Sequence, residues 1–587
     1  DVIAAKHFLP QAAAGQYALI SLTGKIIYFL GSLFAQFITP LISHGEGAQK
    51  DTSLTFYKLL GATTLASLGG YVVVGIFGSY TIPILFGDKA LAIVSYLPLY
   101  GFAIAGYAVS ASIINYHQIK RQYLFPVVGF LFALGEVAGF YLSAKTLGDF
   151  VAVVSILAIA QLAVVGLLHL TYPALRIIWG NLVDFAGIFS LTNGNGRSPD
   201  KLRILIFNWR DTKHVWAGGA EVYVHELAKR WVAEGHKVTV FCGNDRKNKR
   251  SEVIDRVKVI RRGGFYTVYL WAALYYIFKF RTKFDCIVDC ENGIPFFTPL
   301  YSRVPKILLI HHVHQELFRN HLIFPFSYLA MLLESKFMPL VYRNTKLITV
   351  SESSRGDIVN MGWASKEDIE IVNPGINEGT FRKLNKTQNP SFVYLGRLKH
   401  YKNIDVAINA FAKVYGDNRD AKLTIAGFGE SLDYLKALRT KNGLNGAVDF
   451  AGYVSEEEKK QLLARSWAAL QPSSFEGWGI TVIEANASGT PVIASKTKGL
   501  MDSVVDGKTG ILVPPRDVEI LAKVMQDLIN EEGFRKDLSK NAYLWSKNFR
   551  WDESAKKFLN VVFKQIQQKR IAVLSKALAT SKKSTIG

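Results

Sequence analysis

Two hydrophobic rhythms divide this chain of 587 residues. In its first third the apolar residues come in long runs, over residues 14–42, 57–86, 90–115, 122–144 and 149–171. Each is long enough to cross a hydrocarbon layer of ~30 Å, which takes ~20 helical residues. Gly and Ala recur in these runs, as where membrane helices pack closely. From residue 201 onward the apolar runs are short and separated by amphipathic stretches. Residues 202–207, 238–241, 306–310, 348–350, 392–398, 468–470 and 492–494 each read as a strand, and 423–429 as a strand with a tight turn. Short buried strands alternating with helices predict a parallel α/β architecture. Between the two regions, NGNGRSPD at 193–200 has the composition of a linker. The pattern therefore predicts an all-α transmembrane bundle over 1–180, a linker over 181–200, and then α/β structure.

Charge sharpens this division. Lys and Arg number 69 against 47 Asp and Glu, a net +22. Residues 1–185 hold nine basic and seven acidic side chains, so the excess sits almost wholly in the α/β part. A basic soluble part beside a membrane part points to anionic headgroups or phosphate-bearing substrates. Nucleic acid is not expected, because no basic helix or zinc-binding spacing supports it. The cysteines are three, Cys242, Cys286 and Cys290, too few for a disulfide framework and suited to a reducing compartment. Lys25 and Glu136 fall inside apolar runs, where a charge is costly and either serves function or finds a polar contact. The chain starts at Asp1 with no signal peptide before Phe8, and the start reads as a truncation.

The chemistry concentrates in residues 471–496, QPSSFEGWGITVIEANASGTPVIASK. An apolar strand ends there, a glycine-bracketed loop carries Glu476, and a helix carries Glu484. In open α/β sheets ligands bind outside the carboxyl ends of strands. A helix start offers backbone N–H groups to phosphate. Two carboxylates so placed accept hydrogen bonds from two polyols, such as a sugar and a ribose. Upstream, Gly396 and Arg397 end a strand, and Lys402 follows at a helix start, a pairing that clamps phosphates. Gly218 and Gly219 open the first helix of the α/β part, in a turn that is not the dinucleotide-binding form. His311, His312 and His314 follow the strand at 306–310. In an extended chain the first two point to opposite sides, and no carboxylate pattern in the sequence completes a metal site.

The strings SFEGWG at 474–479, EA at 484–485, GTPVI at 489–493 and G-R-L-x3-K-N at 396–403 together resemble the large retaining glycosyltransferase family 4, of GT-B fold. The resemblance extends over about residues 201–570, with the motifs in the family's order. It implies two Rossmann-like domains, 201–375 on the acceptor side and 376–548 binding a nucleotide sugar, followed by a crossover helix and basic tail over 549–587. It implies His311 near the transferred sugar, with His312 as the alternative, and Glu476 on the sugar hydroxyls. Arg397 and Lys402 would hold the diphosphate and Glu484 the ribose. Gly218, Gly219, Asn373, Gly396, Gly427, Tyr453, Gly477, Trp478, Gly479 and Ile480 would line the donor site. No D-x-D motif occurs in the α/β part, so a metal-independent reaction is expected, with no cofactor beyond the nucleotide-diphosphate sugar.

Residues 1–9 with Gly15, Gln16 and Tyr17 resemble the middle of a polysaccharide flippase of the multidrug/oligosaccharidyl-lipid/polysaccharide superfamily, over about residues 1–175. On that resemblance only part of a transporter is present. The five spans and an aromatic stretch at 265–280 with flanking Lys279, Arg281 and Lys283 suggest a lipid-linked or saccharide acceptor and contact with membrane lipid. A cytosolic donor would put the catalytic domains in the cytosol. The inside loops would then carry Lys50, Lys58, Lys120, Arg121 and Arg176, in the sense of the positive-inside rule. The expected function is transfer of a sugar by a multi-pass membrane enzyme in glycan or polysaccharide synthesis. The alternative is an exporter fragment with a regulatory domain that binds a sugar nucleotide.

Overall fold

The computed structural model describes residues 2–47, 51–143, 145–189, 201–381 and 383–584. The expected linker motif at 193–200 lies outside them. The chain forms two compact units, Asp1–Leu182 and Val183–Gly587.

Among the described residues, five helices are long and apolar enough to cross a membrane: Gln11–Glu46, Ser53–Ile76, Asp88–Ile119, Leu124–Leu142 and Leu147–Ile188. They match the five runs read from the sequence, with two differences. The run 57–86 is not one regular helix. A regular helix over Ser53–Tyr71 loosens into a π turn over Val72–Ile76, and a separate helix, Gly78–Phe86, contains Pro83. The last helix passes through Pro173 to Ile188, well beyond the expected end at 171. Proline removes one helical hydrogen bond, a loss that helices of this kind absorb. Residues 181–188 are therefore helix rather than linker. Lys25 lies on an exposed face. Glu136 lines a cavity of about 530 Å³ with Asn115, Gln118 and Gln161.

The tail of that helix belongs to the second unit. Asp184 is 3% exposed and pairs with Arg250, and its Oδ2 accepts the Gly263 N–H at 3.0 Å. The hydroxyl of Tyr275 donates to the Asp184 carbonyl at 2.9 Å. Tyr275 belongs to the aromatic stretch at 265–280, which forms the helix Val268–Tyr275 and a π turn over Tyr276–Phe280. One face of it, with Trp271, Tyr275 and Phe280, is buried core, whereas Tyr266 and Phe278 face outward.

Two sheets organise the second unit. The first contains β1 Arg203–Phe207, β2 Lys237–Cys242, β3 Ser251–Ile254, β4 Val257–Arg261, β5 Cys286–Glu291, β6 Lys306–Ile310, β7 Lys346–Thr349 and β8 Ile369–Ile371. Their order is β3-β4-β2-β1-β5-β6-β7-β8, parallel throughout except for the β3–β4 pair. The second sheet contains β9 Ser391–Leu395, β10 Lys422–Ala426, β11 Val448–Gly452, β12 Ala468–Gln471, β13 Val492–Ser495 and β14 Gly510–Val513. Its order is β11-β10-β9-β12-β13-β14, all parallel. In each sheet the strand order reverses beside the first strand, between β1 and β5 and between β9 and β12. A crevice opens at the carboxyl ends of strands at such a point.

The final helix, Trp551–Ser584, returns from the second sheet domain to the first. It packs on the helix Gly219–Ala233, where the Trp231 indole donates to the Ala555 carbonyl at 3.0 Å and Arg230 pairs with Asp552 at 2.6 Å. The two chain crossings between the domains meet: Ile376 donates to Phe549 at 3.1 Å and Trp551 to Ile376 at 3.3 Å. Here Gly375 allows the close approach, since a Cβ on it would fall 2.4 Å from the Trp551 nitrogen.

Candidate active site

The reversal between β9 and β12 sets the basic side of the site. β9 ends at Leu395, and Gly396 and Arg397 follow it. A short turn, His400–Lys402, follows, and Asn403 adopts a left-handed conformation (φ 49°, ψ 43°) that starts the helix Ile404–Asp417. Asn403 is buried. Its side-chain amide donates to the Pro472 carbonyl at 2.9 Å and to the Ser474 hydroxyl at 2.8 Å. The loop after β9 is thereby tied to the loop after β12, and Lys402 is delivered to Glu476, with which it forms a short ion pair. Gln471, the last residue of β12, donates to the same carboxylate oxygen at 2.8 Å. Two glycines make the arrangement possible. A Cβ on Gly427 would sit 1.8 Å from the Gly396 carbonyl oxygen, and one on Gly429 2.2 Å from that of Leu398.

Arg397 reaches across to the first sheet domain. It donates to the Trp216 carbonyl at 3.4 Å and to the Tyr401 hydroxyl at 3.2 Å, and a Cβ on Gly218 would lie 3.4 Å from its guanidinium carbon. Gly218 caps the helix Gly219–Ala233, and its N–H donates to the Glu221 carboxylate at 2.6 Å. The other Glu221 oxygen accepts from Arg210 at 3.0 Å. Burial pulls Arg210 below its ordinary pKa, Glu221 opposes that pull, and nearby Arg397 adds to it. Arg210 and Arg397 thus flank the N-terminus of that helix, an arrangement suited to phosphate, and Lys402 adds a third cation on the loop that carries Arg397.

The other predicted donor residues divide. Glu484, on the helix Ile480–Ala487, pairs with Lys459 at 2.8 Å. Burial opposes the Lys459 charge, but Glu484 and Glu456 outweigh it and raise its pKa. Gly477 meets the first domain: a Cβ there would lie 2.9 Å from the His311 carbonyl oxygen. Gly479, at φ +87°, caps the Glu484 helix, and Ile480 lies 3.5 Å from the Cβ position of Gly219. Trp478 departs from the expectation. Its indole is 5% exposed and packs edge-on against Phe549, so it serves the interdomain core. Tyr453 is 81% exposed. Asn373 acts at the hinge, donating to the Val350 carbonyl at 2.9 Å while its own carbonyl accepts from Ser554 at 2.6 Å.

The histidines are distributed differently from the first expectation. His311 is buried, its ring edge-on to Tyr223 with centroids 5.4 Å apart, and burial holds its pKa down at about 3. His312 faces the other way. Burial holds it neutral, followed by the charges of His314 and His311 and then of Lys402. Of the two, His312 is the one that feels the charge of Lys402. Its ring lies 4.0 Å from that of His314. His314 Nδ1 is 3.4 Å from both Glu291 and Glu334. These three groups lie within 4.8 Å of one another and could hold a cation, so carboxylates distant in sequence do complete a cluster. The imidazolium supplies that charge itself: burial opposes it, but Glu291 and Glu334 together raise the His314 pKa to about 10. Glu334 also accepts the His314 N–H at 2.6 Å and the Gln315 amide at 2.6 Å, fixing the start of the helix Gln315–His321. Arg210, Asn403, Lys459, Gln471, Glu291 and Glu334 were not singled out from sequence as site residues. Asn403 and Gln471 stood in quoted stretches, the other four in none.

Family models match both sheet domains. Residues 217–379 match Glycosyltransferase Family 4 and residues 377–545 match Glycosyl transferases group 1. An uncharacterized glycosyltransferase of Methanocaldococcus jannaschii is 26% identical over 396 residues, 61% of this chain and 97% of its own. Among solved structures, sucrose-phosphate synthase of Thermosynechococcus elongatus superposes with a TM-score of 0.54 at 20% identity, covering 63% of this chain and 100% of that one. HepE of Anabaena, solved in complex with UDP and glucose, gives a TM-score of 0.50 at 18% identity, over 62% and 100% of the respective chains. With a glycosyltransferase model on each sheet domain, and the two strand-order reversals facing one cleft, residues 217–545 form a glycosyltransferase module of the GT-B type.

Proposed function

We propose that this chain is a membrane-held retaining glycosyltransferase that moves a sugar from a nucleotide-diphosphate sugar to a lipid-linked saccharide acceptor. The observation that carries this reading is the meeting of Arg397, Lys402 and Glu476 at the β9/β12 reversal, opposite the Gly218–Gly219 helix start. Arg397, Lys402 and Arg210 receive the diphosphate, whose negative charge grows as the sugar–phosphate bond breaks. Preorganised cations at that position favour the transition state over the ground state. Glu476, held by Lys402 and Gln471, takes the sugar hydroxyls, and Glu484 takes the ribose in competition with Lys459. His312 stands beside the sugar as a neutral hydrogen-bond partner. The acceptor oxygen attacks the anomeric carbon from the face the phosphate leaves, and the acceptor proton passes to the departing phosphate oxygen. Cations of the protein do the work of a metal ion in this scheme. UDP is the first nucleotide to test, since HepE was solved with it.

Five apolar helices on the same chain support a membrane-anchored acceptor, and a cytosolic nucleotide-sugar donor would put the module on the cytosolic side. The experiment is a screen of nucleotide sugars against polyprenyl-phosphate-linked and soluble acceptors, using the full chain in detergent. Release of nucleoside diphosphate that depends on a lipid-linked acceptor is expected. Nucleotide-sugar binding without turnover on any acceptor would favour the regulatory reading instead.

A further inference from the structure

The first sheet domain carries an apolar lip that its own core does not use. Beyond His314 the chain forms the helices Gln315–His321 and Phe326–Leu332, a π turn over Leu333–Phe337 and the helix Met338–Val341. The inward side is secured by Glu334, Ala330 and Met338, all buried. The outward side is strongly apolar. Ile323 is 84% exposed and Phe324 78%, and Phe326, Tyr328, Leu329 and Leu340 are each at least half exposed. Exposed apolar side chains grouped in this way mark a surface meant to be covered. Arg319, Lys336 and Arg343 are exposed within the same segment, against the one exposed acid Glu316. Large apolar and aromatic side chains interleaved with basic ones suit the boundary between acyl chains and anionic headgroups.

We propose that this lip, residues 322–343, is a bilayer contact: it seats in the interface of a membrane bearing anionic lipids and presents the acceptor to the site. Two further observations select a bilayer as the occupant. Five helices of the same chain are apolar and long enough to span one. The lip is also continuous with the site, because His314 is the N-cap residue of its first helix and its ring lies 4.0 Å from that of His312, tilted by 33°. The part of the inference concerning the acceptor rests on the proposed function; the bilayer contact does not.

The test uses the full chain reconstituted in phosphatidylcholine vesicles with and without phosphatidylglycerol. The three native cysteines are buried, so Phe324→Cys offers a single reactive position for an environment-sensitive fluorophore. Leu544→Cys, at an exposed site on the second sheet domain, is the control. Quenching of the Phe324→Cys label by spin labels on the acyl chains is expected, more strongly with phosphatidylglycerol, and without quenching of the control. An unquenched label overturns the proposal whatever the activity. So does crosslinking of the Phe324→Cys chain to a second copy in place of quenching, which would make the lip a protein interface. In the activity arm, Ile323→Asp with Phe324→Asp should cut kcat/KM on a lipid-anchored acceptor by about tenfold and leave a short-chain soluble acceptor unaffected. Both side chains are exposed, so thermal unfolding should not change. If the label is quenched but the two acceptors are used alike by the unsubstituted chain, the bilayer contact stands and the lipid-linked acceptor fails.

Discussion

At the scale of single residues, the Lys402–Glu476 pair separates binding from turnover. Lys402→Ala removes a cation from the place where leaving-group charge develops, and kcat should fall by ~10²–10³. Glu484→Ala should act mainly on donor KM, since a ribose contact is made almost equally before and during bond breaking. The loss of one such hydrogen bond amounts to about 1.5–3 kcal/mol. Measuring kcat and KM for both variants, with thermal unfolding alongside, decides the clamp assignment; an unchanged kcat in Lys402→Ala would remove it. The two histidines make a second pair. His312→Ala should lower turnover and spare stability. His311→Ala, which empties a buried space against Tyr223, should lower the melting temperature more than it changes the chemistry.

His314 adds a pH dependence whose sign is definite. Its folded pKa, about 10, lies above its unfolded value, about 6.5. The folded state therefore holds the proton more tightly, and this stabilisation is complete below pH ~6.5 and is lost as pH rises toward ~10. Over that window His314 should make stability decline. In His314→Gln it should be lower at neutral pH and its decline shallower. A wild-type decline that survives the substitution unchanged would refute the ion triad.

At the scale of elements, the loops after β9 and β10 are joined by an approach only glycine permits. Gly427→Ala places a methyl group 1.8 Å from the Gly396 carbonyl oxygen at φ +141°. Overpacking of this kind costs about 1–3 kcal/mol. Because the loop it would displace, that after β9, carries Arg397, the variant should lose donor affinity together with stability, unlike Glu484→Ala. Isothermal titration with UDP and a thermal melt check both.

At the scale of the whole molecule, the thiols report on one domain. Cys242, Cys286 and Cys290 all lie in β2 and β5 of the first sheet and are fully buried, and burial pushes each thiol pKa up. A maleimide should leave the native chain unlabelled and react as that sheet unfolds. Labelling should therefore follow denaturant in step with the loss of the first domain. Reaction of the native chain at the rate of a free thiol would contradict the placement of β2 and β5.

Much of this was legible along the chain, because it depends on local chemistry. Five apolar runs longer than a bilayer is thick have few alternatives to five long apolar helices. Short buried strands between amphipathic stretches leave little but a parallel α/β unit. Arg397, Lys402 and Glu476 follow strand ends, so a periodic pattern locates them at carboxyl edges before any fold is known. Tertiary structure decided what depends on partners remote in sequence. Trp478 is interdomain core because Phe549, on the returning segment, covers it. His312 rather than His311 feels the charge of Lys402, because the His311 ring is buried against Tyr223, a contact that spacing does not foretell. Arg210, Lys459, Glu291 and Glu334 acquire roles from residues 11 to 43 positions away, a separation at which spacing carries no signal. The end of the last apolar helix followed the same rule: polar Asp184 looks like the start of a linker until Arg250 and Gly263, supplied by the sheet domain, satisfy it.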